Sequence, residues 1–146
     1  MSGITSALHE HHKHCDNDFA TAEEAAQRGD WASCALSFAR FRDEMLVHFG
    51  IEEDTLFPAF ESQTGMTGGP TDVMRGEHAQ MRRLLLQMEE AQAQHNADDF
   101  GGTADTLLIM MQQHNMKEEN ILYPMCDDAL STDSALRAKI EAGLKA

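Results

Sequence analysis

The chain has 146 residues, 42% of them apolar, a formal charge of −14 and a pI near 4.7. This length and apolar content predict a single domain, 1–146, that buries a core without the need for disulfide bonds or other cross-links. The acidic charge argues against nucleic acid and anionic membranes as partners, since both need a basic surface, and no apolar run approaches a membrane span.

Periodic apolar patterns predict helices throughout, with no alternating stretch typical of a strand. The first helix is expected from about residue 4 to 28, where Gly29 can end it. Asp30 is placed to cap a second helix that runs from about 31 to 62. The glycine-rich segment 64–70 is the strongest helix breaker in the chain.

Two more long helices and a short one follow. The third is expected from about 71 to 96 and the fourth from about 98 to 127, with Gly101 and Gly102 loosening its first turn. Residues 131–133 can cap a short last helix, which Gly143 is expected to end. Short connections predict antiparallel neighbours. The expected fold is therefore all-α, an up-down-up-down four-helix bundle with a short C-terminal fifth helix as an accessory.

One pattern, His-x-x-x-Glu-Glu-x-x-Leu-aromatic-Pro, occurs twice in the chain. It begins at His48 and again 66 residues later at His114. The two copies end at Pro58 and Pro124. Because proline lacks a backbone donor and clashes with the preceding turn, each helix is expected to kink or end near it.

The same offset pairs His78 with His12, so the domain divides into two repeats, about 4–63 and 70–130. A helical pair joined to a copy of itself has approximate two-fold symmetry. A site on that axis receives equivalent ligands from both halves.

Each long helix carries an apolar stripe that metal-capable residues interrupt, and Ile121 is expected to close the stripe of the fourth helix. Residues four apart share a helix face, so each repeated His and Glu can reach one metal region. Burying carboxylates without compensation costs about several kcal/mol, a cost that metal ligation removes. We therefore predict a dinuclear metal centre at these residues: His12, His48, Glu52, His78, His114 and Glu118.

The N-terminal histidine cluster leaves alternatives open. His12 is preferred as the ligand by repeat register and apolar stripe, and His11 is the reserve candidate. His9 can lie in an outer layer or line an access path, whereas His14 is expected to face solvent. A surface metal site built from His9, His11 and His14 is a further alternative, because helical histidine clusters bind transition metals.

Three residues near the repeated motif also keep open roles. Glu53 and Glu119 point about 100° away from the motif glutamates around the helix, and they are either outer hydrogen-bond acceptors or solvated. Tyr123 is expected to pack, because its partner in the first repeat is Phe57.

At these motifs the chain resembles the hemerythrin-like family, also called the HHE cation-binding domain, over about residues 4–130. Ferritin-like di-iron proteins use Glu-x-x-His instead. The resemblance implies a hemerythrin-like bundle in which the four histidines bind two non-haem irons terminally. Glu52 and Glu118 would bridge the irons together with an oxo or hydroxo group, and manganese or zinc suits the same donors.

One departure from the oxygen carriers concerns the third helix. Where they have a second histidine one turn after the ligand, this chain has Arg82. The set of four His and two Glu resembles the branch linked to nitric-oxide response and iron-sulfur cluster repair. It implies a protein that binds or senses a small diatomic or peroxide ligand (O2, NO or H2O2). A di-iron enzyme that reduces NO or peroxide, or an iron donor in cluster repair, is the alternative.

Compartment and partners have weaker signals. Cys15, Cys34 and Cys126 lack CxxC spacing, which predicts free buried thiols in a reducing compartment. Residues 1–5 have neither a basic n-region nor an apolar run, so the cytoplasm is expected. The sequence identifies no protein partner and no oligomeric state.

Overall fold

The computed structural model describes residues 3–145, which form helices and no strand. Met1 and Ser2, which belong to the segment 1–5 used to predict a cytoplasmic location, and Ala146 lie outside the described residues. The predicted all-α bundle with a short C-terminal helix is confirmed. No helix within 3–145 is long and apolar enough to cross a bilayer.

The two halves of the bundle have the same order of elements. The first half contains α1 (Ser6–Gln27), α2 (Trp31–Ile51), a π-helical turn (Glu52–Leu56) and α3 (Phe57–Thr64). The second half contains α4 (Pro70–Ala93), α5 (Ala97–Lys117), a π-helical turn (Glu118–Leu122) and α6 (Tyr123–Ala129). The last helix, α7, spans Ser134–Lys145. That residues 1–146 form a single domain of two repeats stays a prediction.

Side-chain caps explain where several helices begin. The Asp30 carboxylate accepts a hydrogen bond from the Ser33 amide at 3.1 Å, as the sequence predicted. Asn96 caps α5 in the same way by accepting from the amide of Asp99 at 3.1 Å. With this cap, α5 is regular from Ala97 onward, so the expected loosening at Gly101 and Gly102 is wrong.

The breaks expected at the two prolines take the form of π-helical turns immediately before them. Pro58 and Pro124 each lie in the first turn of the following helix. The widened turn adds one residue and rotates the chain that follows. Leu122 is consequently buried, whereas Ile121 is 56% exposed, so the expectation that Ile121 closes the inner stripe is wrong.

The core consists of two apolar clusters with a polar layer between them. On α1, Leu8 belongs to the cluster near α7 and Cys15 to the other cluster. On α4, Met74 and Met81 divide in the same way. The candidate metal residues lie between these positions, so they cross the bundle as one buried layer.

α7 covers the side of the bundle next to this layer, packing on α1, α2 and the first π-helical turn. Gly143 lies inside α7 and does not end it, which corrects the sequence expectation. A Cβ atom at Gly143 would lie 2.9 Å from Ile51 Cδ1, so glycine permits the close approach of the two helices.

Candidate metal centre

All six candidate residues meet in the middle of the bundle and are at most 6% exposed. Their possible ligand atoms form two groups, and within each group all atoms lie within 4.8 Å of one another. The first group, here the A position, comprises Glu52, His78, His114 and Glu118. The second group, the B position, comprises His12, His48 and Glu118. Because Glu118 belongs to both, the arrangement offers two adjacent candidate cation positions that share a carboxylate.

The donor set fits a cation. Among residues 3–145, five buried side-chain atoms have no hydrogen-bond partner, and four of them belong to the candidate ligands: Glu52 Oε1, His78 Nε2, His114 Nε2 and Glu118 Oε2. His78 Nε2 lies 3.0 Å from Glu52 Oε1. Nδ1 of the same ring donates to Glu53, so in the neutral ring Nε2 presents a lone pair to a carboxylate oxygen. Two acceptors at that distance repel each other unless a proton or a metal ion lies between them.

Outer carboxylates orient three of the four histidines. Each accepts a hydrogen bond from Nδ1, which leaves Nε2 directed to the centre, the arrangement typical of metal-binding histidines. The pairs are His12–Glu119 at 2.6 Å, His78–Glu53 at 2.6 Å and His114–Glu77 at 2.8 Å. Glu53 and Glu119 are thus outer acceptors. Sequence reasoning missed Glu77, although it immediately precedes His78.

The fourth histidine, His48, has a different partner. Its Nδ1 lies 2.9 Å from Nδ1 of His11, whose Nε2 lies 2.6 Å from Glu44 Oε2. By contrast, His12 Nε2 lies 3.1 Å from Glu118 Oε1. The structure therefore brings His12 to the centre and holds His11 behind His48, in the outer layer.

His9 and His14 lie farther out and separate from each other. His9 Nε2 lies 3.4 Å from Glu119, and His14 Nε2 lies 3.6 Å from Glu44. Each accompanies a different carboxylate, and neither joins a group of three close metal-capable atoms within the described part of the chain. This geometry does not support the surface site of His9, His11 and His14.

Tyr123 reaches into the centre, so the expectation that it only packs is wrong. Its hydroxyl donates to Glu52 Oε2 at 2.6 Å and lies 3.2 Å from His48 Nε2 and 3.4 Å from His12 Nε2. Burial, and then the charges of Glu118 and Glu52, raise the pKa of this phenol well above its ordinary value. The available signal was its spacing of five residues from Glu118, which is the i→i+5 hydrogen-bond spacing of a π-helix.

Arg82 does not point at the candidate ligands. Its guanidinium forms two hydrogen bonds of 2.9 Å with Glu53 and lies over the ring of Phe49. Arg82 thus neutralises the carboxylate that orients His78. The position of the extra histidine of oxygen carriers is here an outer ion pair.

Without a metal, the centre holds protons between its imidazoles and carboxylates. Burial lowers the pKa of His114, but the nearby Glu118 and Glu52 carboxylates raise it, with a net value of about 9. Burial raises the pKa of Glu52, whereas His48 and His78 hold it well below its usual range. A bound cation would take the place of these protons.

Comparison with known proteins agrees with this geometry. The family model for the hemerythrin HHE cation binding domain matches residues 3–126. No curated protein and no solved structure matches the chain significantly. Since the family match spans most of the chain, the protein belongs to the hemerythrin HHE cation-binding domain family.

Proposed function

We propose that this protein is a non-haem di-iron protein that binds or senses a small diatomic or peroxide ligand (O2, NO or H2O2). The proposed ligands are the four histidines and the two bridging glutamates: His12, His48, Glu52, His78, His114 and Glu118. Mixed imidazole and carboxylate donors suit iron, and they also suit manganese or zinc. The observation that carries the proposal is the set of four inward donor atoms left without hydrogen-bond partners among residues 3–145.

The enclosure of the centre supports a small ligand. The candidate residues are almost fully buried between two apolar clusters, which disfavours large substrates and favours molecules as small as a diatomic or peroxide. Glu52 Oε2 also lies 3.5 Å from His48 Nε2, so this carboxylate can reach the B position as well as the A position. A bound di-iron pair would supply open coordination positions and electrons for such molecules.

Tyr123 favours a second candidate, an enzyme that reduces NO or peroxide. Its hydroxyl lies beside the B position, and its one proton, which Glu52 accepts in this structure, can turn to a molecule bound there. An iron donor in cluster repair has no such observation in its favour. Three buried free thiols favour a reducing, cytoplasmic location, and the acidic charge disfavours nucleic-acid and membrane partners.

The test combines metal analysis with ligand kinetics. We expect about two irons per chain after anaerobic loading. Stopped-flow mixing of the reduced protein with O2, NO and peroxide should change the metal-centred absorption. A reversible adduct indicates binding or sensing, and catalytic consumption indicates the enzyme.

Glu118→Gln provides the site variant for this experiment. Glu61→Gln is its matched control, because Glu61 pairs with Arg75 and belongs to neither group of metal-capable residues. The control should retain iron and response, whereas Glu118→Gln should lose both. Wild-type protein that holds no iron, or that responds to none of the three molecules, contradicts the proposal.

A further inference from the structure

One hydrogen-bonded contact occurs at equivalent positions in both repeats but is made by different residue types. In the second repeat, His114 Nδ1 pairs with Glu77 at 2.8 Å. The residues 66 positions earlier are His48 and His11, and their Nδ1 atoms pair at 2.9 Å. A histidine thus stands where the symmetry of the chain places a glutamate.

The hydrogen-bond directions around His11 follow from its two neighbours. A His48 ring that binds a cation through Nε2 carries its proton on Nδ1, so His11 must accept that hydrogen bond. His11 can do so because its own proton lies on Nε2 and is donated to Glu44 at 2.6 Å. The result is a chain in which Glu44 orients His11, and His11 orients His48.

A neutral acceptor holds its donor less strongly than a carboxylate does. Hydrogen bonds to ionised acceptors are roughly twice as strong as neutral ones. At the A position, the Glu77 and Glu53 carboxylates orient both histidines, whereas at the B position only His12 has a carboxylate, Glu119.

A second difference between the repeats concerns the aromatic residue next to each cation position. Phe57 packs its ring 5.9 Å from the ring of His78, next to the A position. Its equivalent in the second repeat is Tyr123, whose hydroxyl lies 3.2 Å from His48 Nε2. The A position is therefore lined by an apolar ring where the B position meets a polar hydroxyl.

We propose that His11 is a positioning residue that holds His48 through a neutral hydrogen bond and makes the B position the weaker, first-exchanging cation position. This inference rests on the proposed metal centre. Loss of an outer partner costs about 10–100-fold in metal affinity, and replacing a charged partner by a neutral one should lie near the lower end. We expect the two positions to differ by about tenfold or more.

Cobalt(II) is a suitable probe, because its visible absorption reports the coordination of each ion. The metal-free protein is titrated with cobalt(II) in competition with a chelator. Wild type should bind two ions with unequal affinities. His11→Phe should weaken the lower affinity about 10–100-fold and leave the higher one unchanged.

Two variants test the assignment of this effect. Glu77→Gln, at the equivalent contact of the other repeat, should weaken the higher affinity instead. His11→Asn places a side-chain oxygen near the location of Nδ1 and should restore part of the lost affinity. Weakening of both affinities by His11→Phe, with a matching fall in the thermal stability of the metal-free protein, would indicate a merely structural role and overturn the inference.

A double-mutant comparison isolates the contact with His48. In a His48→Ala background, adding His11→Phe should have no further effect on cobalt(II) binding. A further loss there contradicts action through His48. If wild type binds no cobalt(II) at the centre, the proposed function fails. If wild type binds two ions with equal affinity, only the present inference fails.

Discussion

Raising the pH is expected to destabilise the metal-free protein. Burial lowers the pKa of His114, but Glu118 and Glu52 raise it to about 9, against 6.5 for an unperturbed histidine. A group whose pKa is higher in the folded state stabilises fully below its unfolded pKa, and this contribution is lost as pH rises through the folded value. At about 1.4 kcal/mol per pH unit, the loss between about pH 6.5 and 9 is about 3 kcal/mol.

This loss is large beside the roughly 5–15 kcal/mol of a typical domain. The assay is urea unfolding of chelator-treated, reduced protein at several pH values between 6.5 and 9. Glu118→Gln is the matched control, because it keeps the shape of the side chain and removes the charge that raises the His114 pKa most. The slope with pH should be clearly smaller in the variant.

The comparison also removes a competing effect. Burial raises the pKa of Cys15 and Cys126 in the folded protein, so their ionisation in the unfolded chain near pH 9 also favours unfolding. Burial is the largest cause of both thiol shifts and is common to the two proteins, so most of this effect cancels. The remaining difference reports His114 and His12, whose pKa values Glu118 raises. A wild-type stability that stays flat up to pH 9, or equal slopes in both proteins, would refute the pairing of His114 with Glu118.

Three further outcomes are expected. Apparent cobalt(II) affinity should rise from about pH 6.5 to 9, because the cation displaces the His114 proton; a pH-independent affinity in the chelator competition would contradict this. Glu118→Ala should lose cations from both positions, since both share its carboxylate. The control Ile121→Ala, at an exposed neighbouring residue, should keep about two cations per chain by metal analysis. Tyr123→Phe should retain the metals and change NO affinity about tenfold. Its free energy of unfolding in urea, measured without metal, should fall by about 1–3 kcal/mol because Glu52 loses its hydrogen-bond donor. Unchanged stopped-flow NO binding would exclude contact between this hydroxyl and the ligand.

Helix periodicity and turn residues were enough to predict the architecture. Asp30 and Gly29 were correctly read as the boundary between the first two helices, since capping and positive φ are local properties. Gly143 misled because its reason for being glycine is a contact with Ile51, which lies far away in the chain. Local propensity describes a helix end well and a packing requirement poorly.

The π-helical turns account for the clearest errors near the centre. Counting by an ideal helical period placed Ile121 inside, and the equivalence with Phe57 led to the expectation that Tyr123 packs. The widened turns before the prolines shift the register by one residue, which exposes Ile121 and brings the Tyr123 hydroxyl inward. A period rule has no means of detecting a local change in the period.

By itself, the sequence determined the helical class, the doubled motif and the six candidate residues, because spacing of four along a helix fixes which side chains share a face. Only the tertiary structure decided which outer group meets each histidine. Glu44 and Glu77 reach their partners across helix–helix contacts, and no spacing along one helix specifies them. The same packing placed His11 behind His48, and so made two repeats that look equivalent in sequence chemically unequal at the centre.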